Sequence, residues 1–561
     1  MAGRDFDLSQ LTQGHSHIIY FIFILALALL LYSYVRTHVE IIRYPSTLPL
    51  IREPHGKRRF SLKTRLAYYL DCRSLYSETY ETYSKKNIPC LLPGNGLFRD
   101  EVVLPPSYLP WITAQPDNVL SAVDAMRELN QIAWTAGHRK YNDDGWTGKL
   151  VETFLTGGRS LERLMPGLHD ELGLSLSELF GTDTGKWKEI EVLEIMKEVV
   201  VRASGRYIVG VPLCRDRTYM RHNIYFADQF VLVAGIIGAL PKLLRPILGP
   251  IAAIPLRYHI WKIKKVFRPT FKHRVRTVNQ YADQKNSNCL KTPEPVDHLQ
   301  TMFRWAQKNR PEELNLHDMT IRLALTSFSG THQTSIAITN IIFNILASDT
   351  EYDTIRILRR EITEVLGESA FNPGLEPERW SELWTKATIS RMVRLDSVLR
   401  ETMRISTFGH RSMMRKVMVD RLEIPGGNDE ICVLPKGSMI SILALPVHRD
   451  PEIFDEPLKF KPFRFSQQRE AEKSQANRPT SSPHAGSNGP QFLPFGNGRH
   501  ACPGRFLLDF ELKMIVANLL MKYDISFPNE YHGQRPENVW VAEVQVPPSW
   551  GKIRVKRRIA K

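Results

Sequence analysis

The stretch from Phe492 to Phe510, FLPFGNGRHACPGRFLLDF, decides how this chain is read. A glycine-rich turn carrying Cys502 runs directly into an amphipathic helix. Gly496, Gly498 and Gly504 permit turns and close backbone approach that a Cβ would hinder, and Pro503 suits a first helical position. Downstream, Phe506, Phe510, Met514 and Ala517 share one helical face. Cys502 is therefore expected at a helix N-terminus, where free N–H groups and the helix dipole favour a thiolate. A sulfur anion so placed suits iron.

Working outward, residues 466–490 have almost no apolar content and read as a solvated loop. After Arg411, β-branched runs separated by Gly, Pro and Asn-Asp turn material predict a small sheet. From about residue 118 to 410 apolar residues recur at three and four spacing, as in Ile321–Leu346 and Leu383–Met403, which predicts helix. The fold class is mainly α with a small β region. No Gly/Ser or Pro linker divides the chain after residue 60, so residues 61–561 are expected to form one large domain.

The N-terminus has a different character. Ile18 to Val35 contains no charged residue, and as a helix it would span about 27 Å of a hydrocarbon layer near 30 Å thick. Its leader sets Arg4 against Asp5 and Asp7, and the exit, Tyr32-Ser33-Tyr34-Val35, lacks a small-x-small pattern, which favours a retained anchor over a cleaved signal peptide. Arg36, Arg43, Arg52, Lys57, Arg58 and Arg59 follow, so the body is expected on the cytosolic side. The expected order is a short lumenal leader over 1–17, a transmembrane helix over 18–35, and a basic, Pro-containing spacer over 36–60. A second apolar stretch, Phe230 to Leu256, is broken by four prolines and by Lys242 and Arg245, which argues against a span. It reads either as buried core helices or as a surface dipping into the membrane interface.

Composition excludes other classes. The chain has 561 residues, 75 Lys plus Arg against 59 Asp plus Glu, and 43% hydrophobic residues, enough for a large packed core. Six scattered cysteines without a CxxC pair indicate neither a disulfide framework nor structural zinc. The excess of basic residues suits an anionic membrane or an acidic protein partner. No nucleic-acid motif accompanies it, so no nucleic-acid partner is expected.

The cysteine segment resembles the haem-binding signature of the cytochrome P450 family: Phe, two residues, Gly, one residue, Arg or His, one residue, Cys, one residue, Gly. Phe495, Gly498, His500, Cys502 and Gly504 match it. The resemblance implies a single haem-thiolate domain with haem b, its iron bound axially by Cys502, and His500 directed to a haem propionate. A second family element, the Glu-x-x-Arg of the K helix, is matched by Glu401 and Arg404, which share a helical face. The same spacing recurs at Glu376 and Arg379; order in the chain selects the former pair, about 100 residues before Cys502. Arg464 in PFRF completes the family's Glu-Arg-Arg cluster, whose implied role is structural.

The distal helix of the resemblance falls on LALTSFSGTHQTSIAITNIIFNIL, from Leu323. One register sets His332 at the family's acid and Gln333 at its alcohol; the other sets Gln333 at the acid and Thr334 at the alcohol. Neither supplies a carboxylate, so His332, Gln333 and Thr334 stand as candidates for proton delivery. The family's Trp-x-x-x-Arg is missing, although Trp134 and His138 have its spacing. Thr407–His410 and Val541–Val544 outline a pocket by the same resemblance, and Val200–Asp216 looks like a segment of membrane-bound members from filamentous fungi.

The implied activity is a haem-thiolate monooxygenase acting on an apolar small molecule, a terpenoid, polyketide or alkaloid of fungal secondary metabolism. No Gly-x-Gly-x-x-Gly fingerprint or flavin domain is visible, so electrons are expected from NADPH-cytochrome P450 reductase, with cytochrome b5 as a second donor. The expected site is the endoplasmic reticulum membrane, single-pass, with the catalytic domain cytosolic. The missing distal acid keeps a haem-thiolate isomerase or peroxide-using enzyme as an alternative. A non-catalytic membrane haem protein that binds an apolar ligand ranks below it.

Overall fold

The computed structural model describes residues 42–96, 99–283, 294–371, 382–425, 431–475 and 485–559. The expected leader and transmembrane helix lie outside them. Among the described residues no helix is long and apolar enough to cross a membrane.

The helices that position the site are α1 (Ile132–Thr135), α2 (Val192–Ile208), α3 (Arg217–Ala239), α4 (Arg245–Ala252), α5 (Ile254–Asp283), α6 (Leu316–Tyr352), α7 (Val393–Ile405), α8 (Arg464–Gln475) and α9 (Arg505–Lys522). Their apolar faces meet in one large core, in which Met196, Phe226, Phe343, Leu399 and Met514 are buried. A long helix such as α6 needs defined ends. Asn315 Oδ1 accepts the N–H groups of His317 and Asp318 at 3.0 Å, and Asp353 ends the helix in a left-handed conformation (φ 52°). Within it Thr331, Thr334, Ser335 and Thr339 each donate a hydroxyl to the carbonyl four residues back at 2.7 Å, so the buried polar groups are satisfied locally.

A smaller second core lies under the sheets. Strands β1 (Cys90–Pro93), β2 (Asp100–Val103), β3 (Leu120–Ser121), β5 (Arg411–Val417) and β8 (Met439–Leu443) form a sheet in the order β1-β2-β8-β5-β3, antiparallel except between β2 and β8. Strand β4 (Lys188–Glu191) pairs with β12 (Lys552–Arg557), which pairs with β9 (Tyr523–Ser526); β6 (Arg421–Pro425) with β7 (Ile431–Pro435), and β10 (Val539–Val541) with β11 (Val544–Val546), make hairpins.

Two expectations are corrected. Residues Ser466–Gln475 are helical in α8, not a loop. Ser397 Oγ caps that helix by accepting the N–H groups of Phe465 and Ser466, and Arg469 pairs with buried Asp396 at 2.6 Å. Tertiary contacts there outweigh a polar composition. The helix expected over Leu383–Met403 is two, Lys386–Ser390 and α7, with a break at Arg391 and Met392. Where the expected spacer is described, it packs on the body: Leu48, Leu50, Ile51 and Phe60 are buried in the second core. The Phe230–Leu256 stretch is buried in its first part and lies at the surface in its second. Phe230, Val233 and Ile237 of α3 are buried, while Ile247, Ile251 and Ile254 stand exposed.

Candidate functional site

The loop before α9 is closed by its own backbone. The Cys502 N–H donates to the Phe495 carbonyl at 2.9 Å, and the Ala501 N–H to Gly498 at 3.1 Å. Gly498 needs its missing side chain twice over, since its φ is +70° and a Cβ would meet Thr113 Cγ2 at 3.0 Å. Gly504 is different. Its φ is −85°, and a Cβ there would find no protein atom within 4 Å, so glycine keeps space open rather than permitting a turn. Because α9 begins at Arg505 with Gly504 as its cap, Pro503 lies just outside the helix rather than at its first position. Of the predicted face, Phe510, Met514 and Ala517 are buried, whereas Phe506 is exposed.

Cys502 is the exposed cysteine of this set; Cys72, Cys90, Cys214 and Cys432 are buried. Its thiol is nonetheless pushed up by burial, which outweighs the N–H groups of Gly504 and Arg505 and the charge of Arg505 drawing it down. The helix terminus alone does not make it a thiolate, contrary to the expectation. Accessible sulfur, two N–H groups aimed at it and the open face of Gly504 fit an axial iron ligand.

Beside this loop lies a cluster of cations that the sequence reading missed in part. His500 Nε2 is 2.7 Å from Asp117 Oδ1, and Arg499 Nη2 donates to the same oxygen at 3.0 Å. Both hold the Asp117 carboxyl below its usual range although burial works the other way. Arg415 of β5 is buried, and its hydrogen bond among the described residues goes to the Met414 carbonyl at 2.8 Å, with no carboxylate bound. Burial, with Arg499 nearby, lowers its pKa to about 10, against the pull of Asp117. A buried guanidinium without a bonded anion has capacity for one, and haem b carries two carboxylates. Strand alternation, which places Arg415 on the buried face with Val417, is the signal that marked it.

Glu401, Arg404 and Arg464 come together as one buried network. Arg404 grips both Glu401 oxygens, at 2.8 and 2.7 Å, and Arg464 Nε reaches both at 3.1 Å. The remaining guanidinium N–H groups go to carbonyls of His448, Pro457 and Asp455. Every charge is paired, as burial demands. Glu376 and Arg379 lie outside the described residues.

On α6 the three distal candidates differ in placement. Thr334 is buried with its hydroxyl committed to the Gly330 carbonyl at 2.7 Å, Gln333 is exposed, and His332 is half-buried between the Phe328 and Phe408 rings. Ser329, one turn before Gln333, is also exposed in a helix that is otherwise largely buried. Trp134 and His138 do not share a helix, because α1 ends at Thr135; Trp134 packs against Gly249 and His138 Nδ1 accepts the Lys140 N–H. The two pocket segments do meet. The His410 N–H donates to the Glu543 carbonyl at 3.3 Å, the Gln545 N–H to the Phe408 carbonyl at 3.2 Å, and the His410 ring lies tilted against Trp540 with centroids 4.0 Å apart.

A helical body with an exposed cysteine in a capping loop, a buried Glu-Arg-Arg network and, beside the loop, a buried Arg415 with no bonded carboxylate has the features of a haem-thiolate protein. The cytochrome P450 family model matches residues 149–553, and the chain belongs to that family. It is 44% identical over 518 residues to cytochrome P450 monooxygenase pbrC of Penicillium brasilianum, covering 92% of this chain and 93% of that one. It is 42% identical over 520 residues to astC of Aspergillus terreus, with the same coverage, and 40% identical over 523 residues to tenB of Beauveria bassiana, covering 92% of each. Among solved structures, retinoic acid-bound cyanobacterial CYP120A1 shares the fold with a TM-score of 0.61 at 16% identity, over 92% of this chain and 100% of that one. The protein is thus a cytochrome P450 monooxygenase with haem b on a cysteine thiolate, requiring a redox partner and a small-molecule substrate.

Proposed function

We propose that Cys502 is the thiolate that holds the haem iron and that the chain oxidises an apolar product of fungal secondary metabolism. Haem b supplies activation of O2 for insertion of one oxygen atom into the substrate, the other leaving as water. The protein's own groups do the rest. The Gly504 and Arg505 N–H groups would steady the sulfur, Arg415, with Arg499 and His500 shared with Asp117, would receive the haem carboxylates, and the Glu401–Arg404–Arg464 network would hold its helices in place. On the distal side Gln333 offers an accessible amide, and His332 and Thr334 are the titratable and hydroxyl groups next to it. Loop 407–410 and hairpin β10–β11 bound the space for substrate.

The proposed setting is the endoplasmic reticulum membrane, with residues 18–35 as a single anchor, the body cytosolic, and NADPH-cytochrome P450 reductase, aided by cytochrome b5, as electron donor. The formal charge of +16 supports docking to an acidic partner, and the uncharged run from Ile18 to Val35 supports the anchor. The observation that carries the reading is the accessible, N–H-capped sulfur of Cys502. The test expresses the chain with reductase in a host and compares metabolites and the carbon monoxide difference spectrum with those of Cys502→Ala. The wild type is expected to give a product heavier by one oxygen and the red-shifted thiolate band, both lost in the variant. An unchanged band in the variant refutes the assignment. Product formed with peroxide but not with reductase would favour the peroxide-using alternative, which the absence of a carboxylate in either distal register supports.

A further inference from the structure

The distal segment of α6 has no acid in either register, yet a carboxylate reaches it from another helix. Asp228 lies on α3, and its Oδ1 stands 3.4 Å from His332 Nδ1. Its second oxygen accepts a hydrogen bond from Lys197 of α2 at 2.9 Å, and Lys197 also donates to Glu194 at 3.0 Å. These are the charged side chains that face the pair from α2 and α3 among the described residues. The Asp228 side chain is 37% exposed and that of His332 12%, so the two form a step from solvent inward. Phe328 and Phe408 hold the imidazole on its remaining sides, with ring centroids 5.7 Å away in each case. Burial raises the Asp228 carboxyl, but the contacts from His332 and Lys197 more than reverse this, and it stays below its usual range. It is ionised at neutral pH and can orient a neighbouring imidazole.

We propose that Asp228, supplied from α3 instead of α6, is the carboxylate that orients the distal proton route. It is a positioning residue: it fixes His332 through Nδ1, so that the imidazole carries protons from the solvent-facing carboxylate toward the accessible Gln333. The polar contact of His332 among the described residues is made through Nδ1, which leaves Nε2 able to hand a proton on through water. This inference rests on the monooxygenase reading of the same site. The Asp228 side chain is 37% exposed, so its contact with His332 adds little to holding α3 against α6.

The test follows where the electrons and protons go when no organic substrate is present. One NADPH, one proton and O2 give NADP+ and hydrogen peroxide; a second NADPH and a second proton are needed to take that oxygen to two waters. The full chain in phosphatidylcholine–phosphatidylserine vesicles with reductase is assayed for peroxide released per NADPH consumed. Asp228→Asn and His332→Gln are expected to raise the peroxide share at least about two-fold, and Asp228→Glu to return it toward wild type. In the infrared spectrum of the ferrous carbon monoxide complex, Asp228→Asn is expected to shift or split the C–O band. An unchanged peroxide share and C–O band in Asp228→Asn, with only its thermal midpoint altered, reduces the pair to a structural tie and overturns the inference while leaving the monooxygenase reading intact. If Asp228→Asn does not fold, His332→Gln and Asp228→Glu decide by the same two readouts. A wild type that consumes no NADPH with reductase overturns both.

Discussion

Glu511 lies on α9, nine residues after Cys502, and is buried with no cation beside it. Ser204 and Tyr207 of α2 each donate a hydroxyl hydrogen bond to its carboxyl at 2.9 Å. Burial outweighs these bonds and raises its pKa from 4.5 to about 7. The folded chain therefore holds this proton more tightly than the unfolded chain does. The associated stability is fully present below pH 4.5 and is lost as pH rises to about 7. A shift of that size corresponds to about 3 kcal/mol. Glu511→Gln is expected to flatten the fall, leaving the variant the more stable protein at about pH 8 but not at about pH 4 in urea titrations. A wild-type stability that does not fall across that interval would contradict the burial argument. Cys502 and Glu511 show opposite legibility. The cysteine announces itself through glycines and a proline within ten residues, whereas nothing local to Glu511 says that it is buried without a cation.

Helix α7 carries the clearest stability argument, because its Glu401 and Arg404 are both wholly buried and bonded in two-pronged fashion. Arg404→Lys keeps the charge but cannot fill both carboxylate oxygens and the carbonyls of His448 and Pro457 at once. A loss of about 3 to 5 kcal/mol is expected in denaturant titrations, since part of a buried network is left unpaired. A loss below about 1 kcal/mol would show that water replaces the missing bonds. This pair was legible because i, i+3 spacing places both residues on one face of one helix. Helix α6 was legible in extent for a similar reason, its apolar period running through most of its length. What its distal face meets was not. Asp228 is more than a hundred residues earlier in the chain than His332, and only the crossing of α3 over α6 joins them. Arg415 likewise becomes part of the site through the sheet that brings β5 beside the cysteine loop. The polar stretch of α8 misled because composition speaks of solvation, while Ser397 and Asp396 bind it from another helix.

At the scale of the molecule, one group of exposed apolar residues falls close together in the chain. Leu243, Ile247, Ile251 and Ile254 lie exposed along α4 and its two ends, and Tyr258 and Trp261 continue the patch onto α5. Lys262 sits over both rings, at 5.6 Å from Tyr258 and 5.1 Å from Trp261, which gives the patch a basic rim. Scattered single apolar residues need no explanation, but a contiguous set with aromatic and lysine neighbours has the chemistry of an interfacial surface. The prolines that prevent α4 from extending into a span also keep it short enough to lie flat. The membrane setting proposed here therefore has two contacts, the anchor and this patch, and their contributions separate by experiment. With residues 1–41 removed, the remaining chain is expected to keep measurable binding to vesicles containing phosphatidylserine, falling as salt is raised because the rim is basic. Ile247→Asp with Ile251→Asp is expected to lower that residual binding at least about tenfold, since each apolar side chain withdrawn from lipid forfeits on the order of 1 kcal/mol and each carboxylate adds repulsion. Both positions are exposed, so the folded chain tolerates the change and its thermal midpoint is expected to hold. Equal vesicle binding by the shortened chain and its double variant would assign the patch to something other than lipid.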